Sequence, residues 1–197
     1  MRVMLTSCGL ETTQLEQAFL TMLGKAPKQA RVLFVPTAAI DAGAVMVLGK
    51  CMNDMLKVGA RENQITVFDL HRAMALAELS PYDVVYLCGG RTQYLLDRMN
   101  DTGFSHVLMQ YIAADGMVIG VSAGSLIFTD NLVGNLGLLD TTLSVHNPYG
   151  AAPGKLTFPF APEIYLSNTG AILVRDIPGD CELVDEATKS KTKKKEA

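Results

Sequence analysis

Short, continuous apolar runs alternate with amphipathic segments along the first two thirds of the chain. The apolar runs predict five β-strands, over residues 1–6, 31–35, 65–70, 83–87 and 117–121. Between them, apolar residues recur at helical spacing and predict helices over 12–23, 43–58, 73–79, 92–100 and 104–114. Strands that are apolar at every position are typical of a parallel sheet with helices on both faces. We therefore predict an α/β fold with three layers and a mostly parallel sheet.

The pattern changes after residue 122. Glycine, asparagine, threonine and proline become frequent, and the remaining predicted strands are short, over 142–145, 163–166 and 171–174. We expect these strands to be antiparallel additions that complete one domain over residues 1–186. Residues 187–197 are polar and rich in lysine, which predicts a disordered tail.

The composition narrows the function classes. Hydrophobic residues make up 49% of the 197 residues and charged residues 19%, which is typical of a globular protein. The net charge of −3 gives no general attraction to nucleic acid. We see no signal peptide and no apolar run of membrane-spanning length, so we expect a cytoplasmic protein without a membrane partner.

The cysteines argue against a structural metal. Cys8, Cys51, Cys88 and Cys181 are far apart and form no C-x-x-C pair. This spacing makes a zinc cluster improbable, and reduced, buried thiols are predicted instead. No metal or nucleotide cofactor is expected.

The motif Gly120-Val121-Ser122-Ala123-Gly124 has the form G-x-S-x-G and follows the fifth predicted strand. At a strand-to-helix turn this motif exposes the serine hydroxyl at the carboxyl edge of the sheet. The small neighbours suit a tight turn, and the N–H of Ala123 would then face the site as an oxyanion donor. We predict Ser122 as a nucleophile.

A serine hydroxyl needs a base to attack a carbonyl. The chain has three histidines, and His71 and His106 lie in segments that favour capping or structural roles. His146 follows a short predicted strand and enters a loop, from which it can reach the top of a sheet. We predict His146 as the base.

An acid should orient the imidazole and fix its tautomer. The candidates after the serine are Asp130, Asp140, Glu163 and Asp176. Glu163 follows Pro162 at the start of a predicted strand, and Asp140 is near His146 in the chain. The sequence pattern leaves these acids as alternatives.

Several of these residues together resemble peptidase family S51. Cys88-Gly89-Gly90 ends a strand, Tyr94-Leu95-Leu96 lies in the next helix, and the serine motif is followed by a histidine 24 residues later. The family holds the aspartyl dipeptidases (dipeptidase E) and the cyanophycinases. The resemblance covers residues 1 to about 174 and implies the fold of class I glutamine amidotransferases, with serine in place of cysteine.

The resemblance also implies roles for single residues. The Gly89 N–H would join that of Ala123 in the oxyanion hole, and Glu163 resembles the position of the family's acid. Gly90 would bind substrate. Arg91 departs from the family pattern, and its guanidinium could either hold a substrate carboxylate or lie in solvent at the start of the helix. The family often has asparagine or aspartate where Arg91 stands.

These observations predict a serine peptidase that hydrolyses short peptides, with an N-terminal aspartate as a candidate specificity. Its partner would be a small peptide substrate and not nucleic acid, and the protein would be a monomer or a homodimer. Two alternatives are an α/β-type serine esterase or amidase, and a non-catalytic ligand-binding member of the same fold.

Overall fold

The computed structural model describes residues 1–186; the predicted tail at 187–197 lies outside them. In chain order the strands are β1 (Arg2–Thr6), β2 (Val32–Val35), β3 (Ile65–Val67), β4 (Val84–Leu87), β5 (Met117–Val121), β6 (Thr142–Ser144), β7 (Gly154–Leu156), β8 (Glu163–Tyr165), β9 (Gly170–Asp176) and β10 (Asp180–Asp185). Eight of them form one sheet in the order β3-β2-β4-β5-β1-β9-β10-β7. The pairs among β3, β2, β4, β5 and β1 are parallel, as predicted.

The helices lie on both faces of this sheet. They are α1 (Thr13–Leu23), α2 (Ala42–Lys57), α3 (Leu76–Leu79), α4 (Thr92–Asp101), α5 (Phe104–Ala113) and α6 (Ala123–Leu126). Buried residues of α1 and α2 form one core with one face of the sheet, and those of α3, α4 and α5 form a second core with the other face. No helix in the described part of the chain is long and apolar enough to span a membrane.

Adjacent residues of a central strand contribute to different cores, which explains why these strands are apolar throughout. In β4, Tyr86 packs in the core that contains α1 and α2, whereas Val85 and Leu87 pack in the opposite core. A polar residue at any of these positions would be buried, because successive side chains of a strand point to opposite faces. The three-layer α/β prediction is confirmed.

The C-terminal strands add to the sheet by antiparallel pairing, unlike the parallel strands before them. β9 pairs antiparallel with β1, and β10 pairs antiparallel with both β9 and β7. β10 and β7 were not among the predicted strands. β6 and β8 pair parallel in a separate two-stranded sheet, so the antiparallel prediction does not hold for these two. Their pairing brings the loops that follow each strand to the same end.

Candidate active site

Ser122 lies on a strained turn between β5 and α6. Its backbone has φ 49° and ψ −109°, a conformation that non-glycine residues rarely adopt. Its N–H donates to the Thr6 carbonyl at 3.0 Å, which holds the turn against the neighbouring strand. This is the geometry expected of a serine that must project its hydroxyl from the sheet edge.

The two glycines of the motif are required because backbone segments approach closely. A Cβ on Gly120 would lie 2.3 Å from the Gly124 carbonyl oxygen, and a Cβ on Gly124 would lie 2.4 Å from the Leu87 carbonyl oxygen. Neither contact is compatible with a side chain at its present backbone position. The G-x-S-x-G spacing therefore allows α6 to begin directly above β5 and β4.

His146 is in hydrogen-bond contact with the serine. Its Nε2 atom lies 2.9 Å from Ser122 Oγ. The His146 N–H donates to the buried hydroxyl of Ser7 at 2.8 Å, and the residue has a positive φ of 56°. The loop after β6 thus places an imidazole where it can accept the serine proton.

The other ring nitrogen of His146 faces Asn168 and Cys8. Nδ1 lies 3.2 Å from Asn168 Oδ1 and 3.3 Å from Cys8 Sγ, and the Cys8 thiol donates to Asn168 Oδ1 at 3.3 Å. An amide oxygen can only accept, so it favours the tautomer with the proton on Nδ1. That tautomer leaves Nε2 free to act as a base toward Ser122.

Glu163 does not lie beside His146. Its carboxylate accepts a hydrogen bond from the Tyr165 hydroxyl at 2.5 Å and is exposed. In the parallel pair of β6 and β8, Glu163 is opposite Thr142, at the start of the strand, whereas His146 follows the end of β6. The residue that reaches the imidazole therefore comes from the loop after β8, and it is Asn168. The alternative acids are exposed and make no hydrogen bond to the ring; they are Asp130, Asp140 and Asp176.

Gly89 and Ala123 adjoin Ser122, at the positions predicted for oxyanion donors. A Cβ on Gly89 would be 3.2 Å from Ser122 Cβ, so its backbone lies directly against the serine. Ala123 is the first residue of α6 and is buried. Gly89 follows β4, which neighbours β5, so both residues are at the carboxyl ends of adjacent parallel strands.

A cavity of about 360 Å³ opens beside Ser122 and His146. The first turns of α2 form one wall, and Lys50 of this helix lines the cavity. Gly90 lines it as well, but Arg91 is exposed and is not among the lining residues. Sequence reasoning missed Lys50 because nothing in a helical segment indicates which cationic side chain faces a site.

Lys50 and Cys8, which line the cavity, have shifted pKa values. A hydrogen bond to Glu11 raises the pKa of Lys50, so the ammonium group is charged at neutral pH. Burial, together with the negative charge of Glu11, raises the pKa of the Cys8 thiol. Cys8 is therefore a neutral thiol beside the imidazole and not a thiolate nucleophile.

The cysteines are all free thiols, with Cys51, Cys88 and Cys181 buried and Cys8 half-buried. Within residues 1–186, no group of three or more histidine, cysteine, aspartate or glutamate side chains is arranged to hold a metal ion.

Known proteins with similar sequences are peptidases. An uncharacterized peptidase of Pasteurella multocida is 29% identical over 101 residues, 51% of this chain and 49% of that protein. One of Listeria innocua is 30% identical over 101 residues, 51% of this chain and 48% of that protein. The chain spans about half the length of these curated relatives.

Solved structures share the fold over most of the chain. A candidate peptidase E of Listeria monocytogenes superposes with a TM-score of 0.69 at 21% identity, over 93% of this chain and 98% of that one. A peptidase from an acI-B1 actinobacterium gives a TM-score of 0.66 at 13% identity, over 94% of this chain and 87% of that one. The family model "Peptidase family S51" matches residues 3–141, well over half of the sequence. The chain therefore belongs to peptidase family S51, a family of serine-type peptidases.

Proposed function

We propose that this protein hydrolyses short peptides through an acyl-enzyme on Ser122. The observation that carries the proposal is the 2.9 Å contact between Ser122 Oγ and His146 Nε2 at a strained strand-to-helix turn. A nucleophile and a base in direct hydrogen-bond contact, with the base oriented by a third group, form the constellation of serine hydrolases.

The first half of the reaction forms the acyl-enzyme. Ser122 Oγ bonds to the scissile carbonyl carbon while its proton moves to His146 Nε2. The backbone N–H groups of Gly89 and Ala123 would donate to the resulting oxyanion, and each such donor contributes about 3 kcal/mol to the barrier reduction. The carbon–nitrogen bond then breaks as the imidazolium gives its proton to the leaving amine.

The second half releases the acyl group. A water molecule gives a proton to His146 as its oxygen attacks the ester carbon, and the proton returns to Ser122 Oγ when the ester bond breaks. Asn168 would accept from Nδ1–H through both steps and hold the ring in plane with the serine. Asparagine has the same orienting role in cysteine proteases of the papain type.

The size of the cavity suits a short peptide substrate. Its volume of about 360 Å³ lies near the lower end of the range for ligand pockets, about 300–1,000 Å³. Lys50 lines the cavity in an ion pair with Glu11, and by exchanging this partner its ammonium group would hold an acidic side chain such as an N-terminal aspartate. Because Arg91 does not line the cavity, Lys50 replaces it in the proposal as the cation that recognises a carboxylate.

Two matched anilides test this proposal. We expect release of p-nitroaniline from aspartyl p-nitroanilide, slower release from the isosteric asparaginyl compound, and a loss of about 10³-fold or more in Ser122→Ala. Ser105→Ala, a change at a half-buried serine of α5 that does not line the cavity, is the control and should keep full activity.

A fluorophosphonate probe provides a second readout that does not depend on the substrate. Folded protein that neither labels at Ser122 nor cleaves either anilide would contradict the proposal and favour the non-catalytic alternative. If the probe labels Ser122 and the protein cleaves p-nitrophenyl esters but neither anilide, the esterase alternative would be favoured.

A further inference from the structure

We propose that Asp185 is a positioning residue that fixes His146 and Asn168 relative to each other, although it does not line the cavity beside Ser122. The inference rests on the proposed function of the Ser122 site. Asp185 ends β10 and is 1% exposed. A carboxylate buried to this degree is costly unless several donors satisfy it.

The donors to Asp185 come from the loop that carries Asn168. The Ser167 hydroxyl donates to Oδ1 at 2.7 Å, and the Thr169 hydroxyl donates to the same atom at 2.8 Å. The Ser167 N–H donates to Oδ2 at 3.3 Å. Both chain neighbours of Asn168 are therefore bound to one carboxylate.

This arrangement leaves the Asn168 side chain to project toward the imidazole. Ser167 Oγ also accepts the Thr169 N–H at 3.1 Å, and the Ser167 carbonyl accepts the Gly170 N–H at 2.9 Å. The turn over 167–170 is thus closed on itself around Asn168, whose Oδ1 lies 3.2 Å from His146 Nδ1.

Asp185 also packs against the loop that carries His146. A Cβ on Gly150 would lie 1.9 Å from Asp185 Oδ2, and a Cβ on Gly170 would lie 2.9 Å from the same atom. The carboxylate therefore fills the space between the loop after β6 and the loop after β8. One buried group contacts the two segments whose relative position determines the contact between His146 and Asn168.

The negative charge of the Asp185 carboxylate contributes to holding the turn, in addition to the space that the side chain fills. Hydrogen bonds to an ionised acceptor are stronger and shorter than those to a neutral one. Asparagine at position 185 would keep one acceptor oxygen but would present an NH₂ group toward Ser167 N–H or the two hydroxyls. We expect the turn to loosen and the Asn168 amide to lose its fixed direction toward Nδ1.

A double-mutant cycle tests the inference. We expect Asp185→Asn to lower kcat about tenfold with little change in KM, because the base and not the substrate cavity is disturbed. In an Asn168→Ala background the same change should cost less than about twofold, since Asp185 acts through Asn168. Asp180→Asn, on the same strand but exposed, is the control and should leave kcat unchanged.

Additive effects of Asp185→Asn and Asn168→Ala would overturn the proposal and leave Asp185 with a role in stability alone. If Asp185→Asn fails to fold, Thr169→Val removes one donor to the carboxylate and enters the same cycle, with a smaller loss expected.

The ¹⁵N signals of the imidazole provide a readout that does not need activity, and the chain has three histidines to assign. We expect the His146 signals to shift in Asp185→Asn, and unchanged signals would contradict the inference even if the enzyme is active. If wild-type protein is inactive but the His146 signals shift, the proposed function fails and the positioning role stands.

Discussion

The Nδ1 atom of His146 lies 3.2 Å from the side-chain oxygen of Asn168. The group beside Nδ1 is therefore a neutral amide, next to the neutral thiol of Cys8, whereas a charged triad has a carboxylate at this position. An amide can fix the ring tautomer but cannot compensate the positive charge that forms on the ring during the reaction.

Asn168→Asp should raise the pH at which activity is half-maximal on the acid side by about one unit, because a carboxylate near the ring favours the imidazolium. Asn168→Ala should instead lower kcat roughly tenfold to a hundredfold through loss of orientation. Profiles of kcat/KM against pH for the wild type and both variants check this. An unchanged profile in Asn168→Asp, with normal folding, would show that residue 168 does not act on the base.

Lys50 should determine the preference for an acidic substrate. Lys50→Gln removes the charge at the cavity, and we expect the ratio of kcat/KM for aspartyl over asparaginyl anilide to fall about tenfold, equivalent to about 1.4 kcal/mol. Lys57→Gln is the matched control, since Lys57 is also on α2 and also pairs with a glutamate, but does not line the cavity. If Lys50→Gln and Lys57→Gln lowered this ratio equally, the preference would depend on the overall charge of the protein and not on Lys50.

Gly120→Ala should abolish fluorophosphonate labelling of Ser122. The added Cβ would overlap the Gly124 carbonyl oxygen, so the turn must open, and we expect a loss of about 1–3 kcal/mol in the free energy of unfolding. Gly49→Ala is the control, because Gly49 lies inside α2 with open space around it and alanine should stabilise the helix by about 0.5–1 kcal/mol. Full labelling of Gly120→Ala would show that the close contact between Gly120 and the Gly124 carbonyl oxygen is not needed to position the Ser122 hydroxyl.

Asp54 should make the stability depend on pH. This buried carboxylate accepts from the Leu10 N–H at 3.0 Å and from the Tyr86 hydroxyl at 2.7 Å, and burial raises its pKa above the ordinary value of 3.8. A raised pKa in the folded state means that folded protein binds the proton more tightly than unfolded protein does. The stability that Asp54 contributes is therefore largest at low pH and is lost as the pH rises from about 3.8 through the folded-state value.

Urea unfolding of wild type and Asp54→Asn between about pH 4 and pH 7 measures this effect. We expect the free energy of unfolding of the wild type, minus that of the variant, to decrease as the pH rises. Asp101→Asn, at an exposed position of α4, should show no such trend. A difference that increases with pH would show that the folded state favours the ionised carboxylate.

The fold and the turn that carries Ser122 were predictable because the information is local. Tyr86 and Val85 are adjacent in β4 and lie in opposite cores, so a continuously apolar strand already implies a sheet covered on both faces. The G-x-S-x-G motif is likewise complete within five residues, since the contact between Gly120 and Gly124 that requires glycine is a property of the turn itself. His146 was predicted as the histidine after the serine, and the structure places it in contact with Ser122.

Only the tertiary structure could decide which groups complete the site. Glu163 and Asn168 lie in the same segment, and the parallel register of β6 with β8 puts the second of them beside His146. Lys50 lines the cavity, and Arg91 does not, because α2 packs with one face toward the sheet and its first turns beside Ser122. Contacts of this kind join residues far apart in the chain, and a shift of one residue in a strand pair would change them without altering any local pattern. The sequence by itself thus determined the fold and the turn that carries Ser122, whereas strand register and helix packing decided what surrounds this serine.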